Sequence, residues 1–197
     1  RNRVTIMFNV DEGDIAKIRQ ITFVGNKAFS DKELRQQMEL RNSGWFTWYS
    51  KADQYSKQKI TGDLEAIKSW YLANGYLEAN VESTQVSITP DKKDIYLTIN
   101  ITEGEKYTVS SVKLEGETFG REEELSRLIL LKPGKTYSGE LQEATNKLIA
   151  DRLGTFGYAF ANVTANPEIN REKREVAFTF FVDPGKRAYV RHMNIQG

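Results

Sequence analysis

Ile95-Tyr96-Leu97-Thr98-Ile99-Asn100-Ile101-Thr102-Glu103-Gly104 is the stretch on which the fold turns. Its apolar residues at 95, 97, 99 and 101 alternate with more polar neighbours. That period of two is the mark of a strand with one buried face. The same design occurs twice more. Val4, Ile6, Phe8 and Val10 run into Asp11-Glu12-Gly13, and Val176, Phe178, Phe180 and Val182 run into Asp183-Pro184-Gly185. The turn glycines are spaced by 91 residues (13 to 104) and 81 residues (104 to 185). A second matched set comes after each turn: Ile21-Thr22-Phe23-Val24-Gly25, Val112-Lys113-Leu114-Glu115-Gly116 and Met193-Asn194-Ile195-Gln196-Gly197. Gly25 to Gly116 is again 91 and Gly116 to Gly197 again 81, so the chain is an internal repeat.

These offsets divide the chain into residues 1–13, 14–105, 106–186 and 187–197: one unit's end, two complete units, and the start of another. The pattern is that expected of the middle of a longer tandem array. In the first complete unit, Ser30-Asp31-Lys32-Glu33 is a capping box and predicts a short helix ending near Leu40. A second helix is expected over about 56–74, with Ile60, Leu64, Ile67 and Tyr71 on its inner face and Gly75 as a left-handed cap. Strands are expected at 79–89 and 94–102, joined by Pro90-Asp91-Lys92-Lys93. The second unit repeats the plan with a strand at 107–115, helices at 121–131 and 138–156, and strands at 161–169 and 174–182. Leu141, Ala144, Leu148 and Leu153 are the expected inner face of its long helix. The fold class is α+β: tandem β-α-α-β-β units, each a three-stranded mixed sheet with two helices on one face.

Composition narrows the function. The 197 residues carry 28 Lys+Arg against 27 Asp+Glu, a formal net charge of +1, with 39% apolar residues. This balance suits a folded chain and lacks the basic excess of a nucleic-acid domain. The absence of cysteine removes thiolate chemistry, disulfides and Cys-based metal sites, and the single histidine, His192, leaves little for His-based catalysis. No apolar run reaches the length of about 20 residues that a membrane helix needs, and the N-terminus has no signal-peptide pattern. Pro133-Gly134-Lys135-Thr136 fails as a phosphate loop because Ile129 stands where the first glycine is required. No catalytic, cofactor or metal residues are expected, and the chain reads as a binding module rather than an enzyme.

The repeated strand-final Glu/Pro-Gly, the Gly25 and Gly116 strand ends and the helix-final Gly75-Tyr76 and Gly157-Tyr158 resemble POTRA domains. The likeness is greatest to the periplasmic repeats of outer-membrane protein assembly factors. Residues 85–93 and 99–104 look like the third such domain, so that 14–105 would be third-like and 106–186 fourth-like. The resemblance implies a periplasmic location in a Gram-negative bacterium, with the membrane reached only through a β-barrel of the parent chain. It implies docking of lipoprotein subunits and of unfolded outer-membrane proteins, without covalent catalysis or cofactor.

A small sheet covered on one face keeps open edges, and an open edge is a template for strand addition. The hairpin's first strand is the expected edge, since Pro167 in the second unit has no N–H to give. In the first unit the apolar phase slips from odd (Ala79, Val81) to even (Val86, Ile88), which a β-bulge would absorb. Val86 and Ile88, with Gln85 and Ser87 beside them, are the candidate partner-binding residues. The resemblance implies a BamB-like lipoprotein at this 79–89 edge. The insertion of the first unit holds Trp45, Phe46, Trp48 and Tyr49, either a partner surface or a local apolar cluster covering the helices. Two other readings stay open: the POTRA array of another transporter such as a two-partner secretion pore, and a KH-like RNA-binding module, whose required GxxG loop is missing between the helices.

Overall fold

Ten elements follow one another twice in the order β-α-α-β-β in a computed structural model that describes residues 17–39, 53–91 and 93–186. The first set is β1 (Lys17–Val24), α1 (Asp31–Gln36), α2 (Asp53–Ala73), β2 (Asn80–Ile88) and β3 (Asp94–Thr102). The second is β4 (Thr108–Gly116), α3 (Glu122–Ser126), α4 (Gly139–Gly154), β5 (Asn162–Asn170) and β6 (Glu175–Asp183). The strands of the described residues form two three-stranded sheets, β1-β3-β2 and β4-β6-β5. In each, the last strand is central, parallel to the first and antiparallel to the second. Residues 69–79, the end of α2 and the loop after it, group with 103 onward as one compact unit, and the rest of the first set forms the other.

The alternation in the sequence translates directly into burial. Ile95, Leu97, Ile99 and Ile101 are all buried on β3, as are Val176, Phe178, Phe180 and Val182 on β6. The intervening Tyr96, Thr98 and Asn100 face the other, solvated side of the sheet. On β6 the ring of Phe178 stacks on Tyr137 at 5.3 Å and lies 6.3 Å from Phe180. The first helix begins as the sequence predicts. Ser30 Oγ accepts the Glu33 N–H at 3.4 Å while the Glu33 carboxylate accepts the Ser30 N–H at 2.8 Å, which completes the capping box. Ile67 and Tyr71 are buried on α2, and Gly75 takes the left-handed conformation at φ +101° with Tyr76 N–H closing back on Tyr71 C=O at 3.0 Å.

Two expectations are corrected. The helix expected over 121–131 is only the five residues of α3. Beyond it the Leu128 and Ile129 amides bond three residues back, to Leu125 and Ser126, and the chain then extends. Extension buries Ile129 and Leu131 together and turns Leu130 outward, an arrangement that helical spacing forbids. The inner face of α4 is Thr145, Ile149 and Leu153, spaced by four, rather than Leu141, Ala144, Leu148 and Leu153. Leu141 and Leu148 are 42% and 40% exposed. A threonine is accepted in the core because its hydroxyl is used twice. Thr145 Oγ1 donates to Leu141 C=O at 2.7 Å and accepts Leu130 N–H at 3.0 Å. That second bond satisfies the amide left open where α3 stops, so the short helix and the shifted face are one feature.

The repeated strand-end glycines have a steric cause. Gly25 (φ +93°) lies against β3 so closely that a Cβ would sit 2.1 Å from Ile101 O, and Gly116 (φ +100°) would place one 2.2 Å from Val182 O. Both obstacles are backbone carbonyls, which cannot swing aside as a side-chain tip would. Gly25→Ala and Gly116→Ala are each expected to cost about 3 kcal/mol or more, from strained φ plus the clash. Gly62→Ala, on α2 with no atom within 4 Å of the new methyl, should instead gain about 0.5–1 kcal/mol. Urea unfolding of the three variants checks the contrast.

Candidate partner-docking edge

Among the described residues β2 pairs on one side only, with β3, which leaves its other side as the edge of the first sheet. The apolar phase slip within it is resolved by an irregularity in the ladder between Val81 and Ser83. One extra residue there resets the pleat, so that Val86 stands opposite Leu97 and Ile88 opposite Ile95. Directly opposed residues share a face, so Val86 and Ile88 point to the same side as the core. Their cross-strand partners are 2% and 1% exposed, whereas Val86 and Ile88 remain 40% and 45% exposed. They border the core without being covered by it. Gln85 and Ser87 stand opposite Thr98 and Tyr96 on the solvated face and are exposed.

The edge thus has an apolar side and a polar side along one row of backbone groups. Its end is held by a tight turn. Thr89 N–H donates to Asp94 C=O and Asp94 N–H donates to Thr89 Oγ1, both at 3.0 Å. Thr89 Oγ1 also donates to the Asp91 carboxylate at 2.5 Å. That hydroxyl, followed by the Lys93 amide, holds the Asp91 carboxyl below its ordinary range. At the other end, Glu82 and Ser83 are tied across to Thr102 and Asn100 by side-chain hydrogen bonds of 2.5 and 2.9 Å.

The corresponding edge of the second sheet is built differently. β5 runs opposite β6 without a bulge, placing Pro167 opposite Phe178. Pro167 interrupts its row of donors, and Pro on an edge discourages further pairing. Of the two described hairpin edges, only β2 offers, from Ser83 to Ile88, a regular backbone row without proline beside the half-exposed Val86 and Ile88. The aromatic residues Trp45, Phe46, Trp48 and Tyr49 lie outside the described residues. Among the described residues no group of three or more acidic or histidine side chains is arranged to hold a metal ion, and no helix is long and apolar enough to cross a membrane. Sequence reasoning does not single out Phe160 and Phe181, which are 74% and 47% exposed in the second unit. The signal for Phe160 is in the repeat itself, since it stands where the first unit has Glu78.

Comparison with known proteins bears on the fold. The POTRA family (surface antigen variable number repeat) matches twice, over residues 16–104 and 107–185. The outer membrane protein assembly factor BamA of Neisseria meningitidis is 35% identical over all of this chain and 25% of its own length. BamA of Buchnera aphidicola is 31% identical over all of this chain and 32% of its length. The chain therefore spans about a quarter to a third of these relatives. The crystal structure of Haemophilus influenzae BamA POTRA3-5 superposes with a TM-score of 0.78 at 31% identity, covering 90% of this chain and 70% of that one. Two family matches that together take in both sheets, on two β-α-α-β-β sets with matching strand order, place this chain in the POTRA family.

Proposed function

We propose that the chain is a periplasmic interaction module of an outer-membrane β-barrel protein assembly machinery in a Gram-negative bacterium. Its units at 14–105 and 106–186 dock partners rather than perform covalent chemistry. The relatives' assembly-factor role supports this reading, and the open β2 edge is the observation that carries it. An extended segment laid along β2 gains main-chain hydrogen bonds that do not depend on its sequence. Val86 and Ile88 then bury their remaining exposed surface against every second side chain of the incoming strand, worth about 1 kcal/mol each. Sequence tolerance from the backbone and modest apolar anchoring suit a surface that receives a lipoprotein subunit of BamB type and unfolded β-barrel clients. Segments of such clients already have the period-two pattern that fits a sheet edge.

Replacing Val86 and Ile88 together by aspartate in the parent protein tests the edge. Both side chains are part-exposed, so circular dichroism and the melting temperature should stay close to wild type. Affinity for the lipoprotein subunit should fall by roughly 30-fold or more, the loss of about 2 kcal/mol of apolar contact with charge repulsion added. Retained folding with unchanged affinity removes this edge from the function.

Strand addition has a second signature. Hydrogen exchange of β2 amides should slow when the partner binds, while β5 amides near Pro167 stay unchanged. Docking by side chains alone would protect neither.

Nucleic acid is a poor ligand for this surface, because 28 cations against 27 anions leave almost no excess for counterion release. Fluorescence anisotropy at physiological salt should find only weak, unsaturable RNA binding. Tight saturable binding would favour the KH-like reading instead.

A further inference from the structure

The solvated faces of the two sheets differ in charge. In the first sheet β1 contributes Gln20, Thr22 and Val24 to this face, in register with Tyr96, Thr98 and Asn100 of β3. Ser87, Gln85 and Ser83 of β2 complete the same three rows. None of these nine side chains carries a charge, in a chain of which 28% is charged. The equivalent positions of the second sheet are Ser111, Lys113 and Glu115 on β4, beside Ala177, Thr179 and Phe181 on β6. Thr164, Asn166 and Glu168 of β5 stand on their other side. One backbone plan thus carries an ordinary mixed face in one unit and a neutral face in the other. Among the described residues of the first sheet, charge begins at the margins, with Arg19 and Glu82 in the two bulges and Asp94 at the start of β3.

The neutral face is rich in groups that both donate and accept hydrogen bonds. Gln20 Nε2 donates to Thr22 Oγ1 at 3.0 Å, and Asn100 Nδ2 donates to Ser83 Oγ at 2.9 Å. Gln85, Ser87 and Thr98 make no side-chain hydrogen bond among the described residues. Tyr96, 39% exposed, lies on the central strand in one row with Gln20 and Ser87. Val24, 49% exposed, is the one aliphatic residue of the nine.

A ligand for such a face has to be uncharged itself. A carboxylate, phosphate or ammonium laid against it loses water and meets no opposite charge. Val24 and Tyr96 alone supply too little apolar surface to seat an aliphatic patch. Neutral hydroxyl groups match, because each finds a partner whether the facing side chain donates or accepts. The Tyr96 ring adds a flat apolar platform beside them. We propose that the solvated face of the first sheet binds a neutral oligosaccharide, one sugar ring lying on Tyr96 and the hydroxyls bonding Gln20, Gln85, Ser87 and Thr98. The second sheet lacks the site, with Ala177 in place of Tyr96 and with Lys113, Glu115 and Glu168 around it. Val86 and Ile88 lie on the opposite face of β2, so the inference is independent of strand docking at that edge.

Saturation-transfer difference NMR observes the ligand and so suits the full parent protein, held in a detergent without a sugar headgroup. Cellohexaose and chitohexaose are the neutral probes, and hexagalacturonate is the charged control. A neutral hexamer should give a saturable signal that does not change when salt is raised, since no ion pair is involved. Thr22→Lys combined with Val24→Glu transplants the second sheet's own residues, which this fold accommodates there, and should lower the signal by roughly fivefold or more. Tyr96→Ala, which copies Ala177, should lower it as well, while Phe181→Ala on the second sheet should leave it unchanged. Circular dichroism checks that each variant is folded, and Tyr96→Ala carries the test should the charged pair disturb the sheet. The absence of a saturable signal with both neutral hexamers overturns the inference. So does a signal that survives the charged pair and Tyr96→Ala alike, because the sugar then binds elsewhere. A stronger signal from hexagalacturonate than from either neutral hexamer also overturns it, because recognition is then by charge.

Discussion

Everything in each unit hangs on its central strand. β3 and β6 are paired on both sides, so their backbone donors and acceptors are consumed within the sheet. Their alternating apolar residues at 95–101 and 176–182 face one way and are nearly completely buried, while Tyr96 and Phe181 stand half-exposed on the other face. Such a strand admits one helix layer. It also sets how near the first strand must come, since Gly25 and Gly116 are closed down on the carbonyls of Ile101 and Val182. The parallel pairing of β1 with β3 and of β4 with β6 ends at a contact that no side chain fits.

With the helix-covered face filled and the backbone of the central strand used, contacts are left to the solvated face, the edges and the loops. The two hairpin edges have diverged. β2 carries a bulge that swings Val86 and Ile88 to the margin of the core, and β5 carries Pro167, which breaks the donor row. The loops have diverged as well, over an unchanged backbone. Glu78 is held by Arg171 and Tyr107, which keep its carboxyl below the ordinary range, and the equivalent Phe160 has no charge to hold. A repeat keeps its internal geometry and varies what it presents, because core changes are costly and surface changes are cheap.

The legible parts of the sequence were those governed by local rules. The alternation at 95–101 and 176–182, the Ser30–Glu33 box and the Gly75 cap each depend on residues within a few positions of one another. The slip between Val81 and Val86 is of the same kind, since a change of parity in an edge strand leaves a bulge as its simplest solution. Less legible was α4. Leucines at 141 and 148 suggest a buried face, yet the helix turns Thr145 and Ile149 inward. Periodicity ranks residues by hydrophobicity, and it does not register that a threonine hydroxyl serves an amide from another element. The same amide explains why α3 stops short.

The sequence by itself determined the repeat, its β-α-α-β-β order and the strand faces, because glycine stereochemistry, capping and period-two burial are written in neighbouring residues. Tertiary structure alone decided which apolar residues stay exposed. Val86 faces the core side yet keeps 40% of its surface, because β2 is the last strand of its sheet among the described residues. Ile149 is buried and Leu148 exposed because Leu130 N–H draws Thr145 inward and sets the rotation of α4. Residues 69–79, which the repeat assigns to the first unit, pack with the second sheet because Leu72, Leu77 and Glu78 meet partners there that lie far along the chain. Burial depends on what arrives from elsewhere in the chain, and no local pattern records that.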